Sequence, residues 1–203
     1  MAITIGFNFR ATLGGATDST NQIFVDKTDI YPKTYTVASG SVTGGWVTTG
    51  PASSRDRTPV GGVTDPRVKG VHFDDTASRT FRVDLPATGD YILGCACGDP
   101  QFAPNIVKFD IKDNTTTLVS VNHNPATGLA SGQLYDVTDV KRTSPSDWVT
   151  NQATVTKTFS STILNFVQGW DATNGGNELA HLYISQVAAA PPAPQSVAFA
   201  MIG

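Results

Sequence analysis

Residues 81–99 read FRVDLPATGDYILGCACGD. Phe81, Val83 and Leu85 alternate with Arg82 and Asp84, the period-two pattern of a strand buried on one face. Pro86 ends that strand by removing a backbone donor, and Gly89-Asp90 supplies a turn. Tyr91, Leu93, Cys95 and Cys97 then share one face of the following strand, with Ile92, Gly94 and Ala96 on the other. The run predicts an antiparallel hairpin inside an all-β pattern, and hence a sandwich. Sandwiches bind or assemble more often than they catalyse, although fold alone does not fix function.

The same alternation predicts strands near 3–9, 34–38, 45–48, 69–73, 79–85, 90–97, 105–112, 117–122, 153–159, 162–168 and 179–187. Turn clusters separate them, among them Gly44-Gly45, Gly61-Gly62, Asp113-Asn114 and Asn174-Gly175-Gly176-Asn177. This spacing suits a jelly roll or a related sandwich. Residues 10–33 and 49–68 read as long polar loops, a place where sandwiches carry binding surfaces. The character changes at Ala188, where a Pro/Ala-rich spacer leads to the apolar Val197, Phe199, Met201 and Ile202. Two units are therefore expected, a sandwich over 1–187 and an arm over 188–203. The arm either folds back as a last strand or docks on a neighbouring subunit by strand addition.

Only 15% of the 203 residues are charged, and Gly, Thr, Ser and Asn fill the difference. A net charge of −3 gives no electrostatic case for a nucleic-acid partner. The first residues, MAITIGFNF, lack the basic and apolar regions of a secretory signal, and no stretch approaches a membrane span. Synthesis in the cytoplasm is the expectation. Cys95 and Cys97, two apart on one strand face, predict buried free thiols rather than a mutual disulfide.

Three groups of residues invite chemistry. His72, Asp74 and Asp75 are the densest titratable cluster, but no nucleophile or metal motif accompanies them, and a structural role is expected. Asp99, with Asp171, Asn177 and Glu178, offers oxygen ligands suited to Ca²⁺, against the competing reading of turn and capping residues. Trp46, Trp148, Tyr31 and Tyr35 are candidate stacking platforms for a sugar, with Arg55 and Arg57 to satisfy its hydroxyls. Trp148, in a polar stretch, is expected to be exposed. His123 and His181 stand isolated, and His181 reads as a structural histidine.

Phe7-Asn8-Phe9, Gly45-Trp46, Arg55-Asp56-Arg57, the 81–99 run and the closing Trp170, Asn177, Leu179 and Leu182-Tyr183-Ile184 follow one order. In that order the chain resembles the galactose-binding-like modules that precede rhamnogalacturonan acetylesterases and related pectin-active enzymes. The resemblance implies a jelly-roll sandwich that binds polysaccharide, in some members with a structural calcium ion and no other cofactor. The esterase part has no counterpart in this sequence. The expectation is thus a non-enzymatic assembly protein, most concretely a bacteriophage capsid-decoration, cement or appendage protein. Its partners would be other virion subunits and further copies of itself in a homo-oligomer. The alternative is a carbohydrate-binding module for cell-surface or plant-type polysaccharide.

Overall fold

Alternating apolar side chains need a second layer to cover them, and two sheets supply it. The computed structural model describes residues 3–11, 21–124 and 129–188. In chain order the strands are β1 (Thr4–Phe9), β2 (Gln22–Val25), β3 (Lys33–Val37), β4 (Gly40–Trp46), β5 (Ser53–Asp56) and β6 (Gly70–Phe73). There follow β7 (Arg79–Asp84), β8 (Gly89–Cys97), β9 (Val107–Asp113), β10 (Thr116–His123), β11 (Leu134–Tyr135) and β12 (Lys141–Arg142). The last are β13 (Val155–Phe159), β14 (Ile163–Gln168), β15 (Trp170–Asp171), β16 (Gly175–Gly176) and β17 (Glu178–Gln186).

One sheet of nine strands runs β12-β11-β8-β17-β1-β2, with β13 also on β8 and the β5–β6 pair on β17. The facing sheet, of six strands, runs β10-β9-β14-β7-β4-β3, and β15 and β16 form a separate two-stranded ribbon. The molecule is an all-β sandwich. Phe7 and Phe9 of β1 meet Phe81 of β7 edge-on at 5.2 and 5.1 Å, and Trp46 of β4 lies 5.6 Å from Phe9. These rings are fully buried and form the centre of the core.

The hairpin expected at 81–97 is not one. β7 pairs with β4 and β14, whereas β8 pairs with β11, β13 and β17, so the turn at 85–88 crosses between the sheets. Both strands still bury the faces assigned to them, but they meet across the core rather than edge to edge. Alternation reports which face is buried and leaves the lateral neighbour open. β13 and β14 are split between the sheets in the same way. There the Asp113 carboxylate accepts from the backbone N–H and hydroxyl of both Ser160 and Ser161.

The eleven predicted strands are present, β4 beginning earlier than expected. β2 and β5 arise inside the two stretches read as loops. Cys95 and Cys97 are buried free thiols, as their shared face requires. A second apolar cluster covers the outer face of the nine-stranded sheet: Val68, Val71, Phe73, Ala96, Leu134, Ala180 and Trp148. Trp148 comes from a short helix, α1 (Pro145–Asn151), with Pro145 in its first turn. Ser144 caps it, its Oγ accepting from Asp147 N at 3.1 Å. Among the described residues no helix is long and apolar enough to cross a membrane. Val197, Phe199, Met201 and Ile202 lie outside the described residues.

A candidate ligand face on the six-stranded sheet

In β7, β9 and β14 buried and half-buried residues alternate, so every second side chain faces away from the core. Pairing register puts Lys112, Asn165 and Arg82 side by side across three strands, and Asp110, Val167 and Thr80 in the next row. Arg82 Nε donates to Asp84 Oδ1 at 2.8 Å, and Tyr31 Oη donates to Asp84 Oδ2 at 2.8 Å. The Arg82 guanidinium lies 4.4 Å from the Tyr31 ring centroid. A phenol, a guanidinium and a carboxylate thus fix one another's positions. The hydrogen bond to Asp84 also raises the pKa of the Tyr31 phenol, since it favours the protonated form.

Backbone geometry places Tyr31 there. Trp46 N donates to Asp29 O at 2.8 Å and Tyr31 N to Trp46 O at 2.9 Å, which ties residues 29–31 to the end of β4. Gly45, at φ +138°, permits this approach, because a Cβ there would sit 2.6 Å from Tyr31 N. Further along the same face lies a cleft of ≈ 320 Å³ where Lys108, Asp110, Ser120, Asn122, Val167 and Ser78 converge. Lys112 Nζ reaches Asp110 Oδ2 at 3.4 Å, so the face carries both signs of charge.

The other sugar candidates do not join it. Trp46 and Trp148 are fully buried and cannot offer a ring face, correcting the expectation of an exposed Trp148. Trp148 instead plugs the outer face of the nine-stranded sheet, its Nε1 donating to Cys95 O at 2.9 Å. Tyr35 is buried with its hydroxyl on Asp29 at 3.2 Å. Arg57 is buried in an ion pair with Asp99 and is not free for a ligand. Arg55 is exposed, 5.0 Å from the Phe73 ring, on the other sheet. Of the six, Tyr31 alone stands on this face. Arg82, Asp84, Asn165 and Lys112 were missed, although they are the polar partners in the alternation that identified the strands.

The expected Ca²⁺ set is not assembled either. Asp99 and Glu178 are neighbours, but Asp171 caps its own turn, its Oδ1 accepting from Thr173 N and Asn174 N at 2.9 and 3.0 Å. Asn177 Oδ1 accepts from Lys108 N at 3.2 Å. Among the described residues no three His, Cys, Asp or Glu side chains are grouped to hold a metal ion. Burial, and next to it the Asp99 carboxylate, push the Glu178 pKa up to about 8. Its Oε2 and Arg57 Nε are sealed from solvent without a partner among the described residues.

His72, Asp74 and Asp75 are each held structurally. His72 Nε2 faces Arg10 O at 3.0 Å, its ring against Phe9 and Trp46, and burial drives its pKa down to about 4. Burial raises the Asp74 pKa, but hydrogen bonds from Thr76 and Arg79 outweigh that and lower it to about 2. Asp75 O accepts from Trp170 Nε1 at 2.7 Å. Nothing here resembles a poised general base.

No model of a known protein family matches the chain, and no curated protein does. Among solved structures, protein YxiM from Bacillus subtilis is similar, with a TM-score of 0.51 and 18% identity over 92% of this chain and 40% of that one. At that identity the likeness establishes the all-β fold alone. The ANXUR2 extracellular domain from Arabidopsis thaliana gives a TM-score of 0.44 and 12% identity over 93% of this chain and 49% of that one, too distant to carry an argument. The chain thus spans less than half the length of either solved structure.

Proposed function

We propose that the chain is a non-catalytic recognition module that binds carbohydrate on the outer face of its six-stranded sheet. The Tyr31–Arg82–Asp84 trio carries this reading. A sugar presents an apolar C–H patch ringed by hydroxyls. Its recognition needs a fixed aromatic surface beside directed donors and acceptors. Arg82 and Lys112 donate, Asp84 and Asp110 accept, and Asn165 does both. The side chains are already held by one another, so little ordering entropy opposes binding. The kinship to galactose-binding-like jelly-roll modules of pectin-active enzymes belongs to the same proposal, resting on the 81–99 run and on the two-sheet fold.

Screening the purified chain against immobilised plant and bacterial polysaccharides tests it. Tyr31→Ala and Arg82→Ala are each expected to weaken the best binder at least tenfold while the far-ultraviolet circular dichroism stays that of the parent. Absence of binding to every glycan, or binding indifferent to both substitutions, overturns the reading. The virion-decoration role is the second reading, favoured by the Pro-rich spacer and apolar residues of 188–203. It predicts an oligomer that dissociates on truncation after Ala190, read by sedimentation.

A further inference from the structure

On the opposite side of the molecule, the outer face of the nine-stranded sheet holds a cleft of ≈ 290 Å³ lined by Gln22, Arg67, Gln152, Thr154, His181 and Tyr183. We propose that this cleft is a second ligand site, one that takes a small neutral molecule bearing hydroxyl groups and presents His181 Nε2 to it as a hydrogen-bond acceptor. The volume sits at the small end of the range for ligand clefts, about 300 Å³ upward.

The argument begins with a chain of side-chain hydrogen bonds. Asn8 Nδ2 donates to Gln22 Oε1 at 3.1 Å, which leaves Asn8 Oδ1 as an acceptor. His181 Nδ1 lies 2.7 Å from that oxygen and must carry the proton. In a neutral ring Nε2 is then the lone-pair atom. Among the described residues Nε2 makes no side-chain hydrogen bond, although the Phe7 backbone also bonds the ring, and His181 is only 1% exposed. A buried histidine is thus held in one tautomer by Asn8 and Gln22. Its remaining capacity is an acceptor at the wall of a cleft.

The rest of the cleft fixes the ligand's charge. Arg67 is the one charged residue among the six, and it is already neutralised. Its Nε and Nη2 donate to the two Asp65 oxygens at 2.9 and 2.7 Å, and its guanidinium lies 5.3 Å from the Trp148 ring. An anion would gain no unpaired cation there, and a cation would meet no free carboxylate among the lining residues. The Gln22 and Gln152 amides and the Thr154 and Tyr183 hydroxyls both donate and accept, as hydroxyl recognition requires. Burial, and after it the nearby Arg67 charge, lower the His181 pKa to about 3, so the ring stays neutral over the working range of pH. Gly6 lies against the Gln22 amide, where a Cβ would clash with Gln22 Oε1.

The test uses the full chain and nitrogen-15 spectra of the histidine ring. Glycerol, myo-inositol and galactose serve as neutral hydroxyl probes, and acetate and ammonium as charged controls. The expected result is an unprotonated Nε2 in the free protein that shifts saturably with a neutral probe and with neither control. His181→Asn keeps a donor at the Nδ1 position for Asn8 but deletes the Nε2 acceptor. It is expected to leave the fold unchanged and to weaken probe binding at least tenfold. Gly6→Ala, which displaces Gln22, is expected to do the same. A protonated Nε2, a shift from the charged controls alone, or no shift with any probe overturns the proposal. Tyr31→Ala leaves this site untouched, so its outcome and that of the polysaccharide reading are independent.

Discussion

Trp148 shows how a residue's neighbours in sequence can mislead about its neighbours in space. Ser144-Pro145-Ser146-Asp147 is a polar run, and polarity suggested a solvent-facing loop. The same four residues are a helix start, with Ser as cap, Pro at the first position and Asp in the first turn. One short helix then needs only one large apolar side chain to anchor it, and Trp148 is that side chain. Its ring covers Ala96 and Ala180, and its indole N–H satisfies the Cys95 carbonyl. Trp148→Phe keeps most of the packing but leaves that carbonyl unpaired, a cost of about 1–3 kcal/mol. Trp148→Ala also opens a cavity and is expected to cost about 3–5 kcal/mol. Urea denaturation of the two variants checks the order. Equal losses would mean that the ring packing adds nothing beyond the hydrogen bond, and no loss in either would mean the helix is not anchored there.

Among the elements, the burial face of each major strand was legible because a period of two leaves few alternatives over seven or eight residues. Pairing partners were not legible. Phe81–Leu85 and Tyr91–Cys97 bury facing surfaces, and a hairpin and an inter-sheet corner give the same pattern. β2 and β5 escaped notice for another reason. Four residues such as Gln22-Ile23-Phe24-Val25 or Ser53–Asp56 are too short for alternation to stand out, and they form by adding to β1 and β6. The proposed ligand face is half legible: Tyr31 stands out as an aromatic, whereas Arg82 and Asp84 read only as the polar half of a strand. Gly45 joins these elements. Gly45→Ala places a side chain at φ +138°, costing about 1–3 kcal/mol in backbone strain, and drives its Cβ into residues 29–31. The expected result is a lower unfolding midpoint together with a Tyr31 phenol that titrates nearer its ordinary value, because the bond to Asp84 is lost. Ultraviolet titration of tyrosinate against a Tyr31→Phe control reads this. An unchanged titration would show that Tyr31 keeps its place without the glycine.

For the molecule as a whole, two buried histidines and a half-buried glutamate set opposing limits on stability. His72 and His181 ionise in the unfolded chain near pH 6.5, but burial holds them neutral until about 4 and about 3. Below pH 6.5 the unfolded state therefore binds more protons, and stability falls as pH falls. Glu178 works the other way. Its folded pKa of about 8 lies above the ordinary 4.5, so the folded state holds a proton that the unfolded chain releases. Its contribution is fully present below 4.5 and is lost as pH rises toward 8. Each group contributes a slope of at most about 1.4 kcal/mol per pH unit. Below 6.5 the two histidines outweigh the one glutamate, and above 6.5 the glutamate outweighs them, so stability should peak near pH 6–6.5. Between there and pH 8 the net loss should approach roughly 1 kcal/mol, the glutamate's loss being partly offset by the last titration of the unfolded histidines. In Glu178→Gln the amide cannot ionise, and the alkaline decline should flatten while the acid limb stays. Urea midpoints from pH 5 to 9 for both chains decide it. A parent midpoint that holds level from pH 6.5 to 8, or a variant that keeps the decline, would mean that the Arg57–Asp99 pair accommodates an ionised Glu178 without cost.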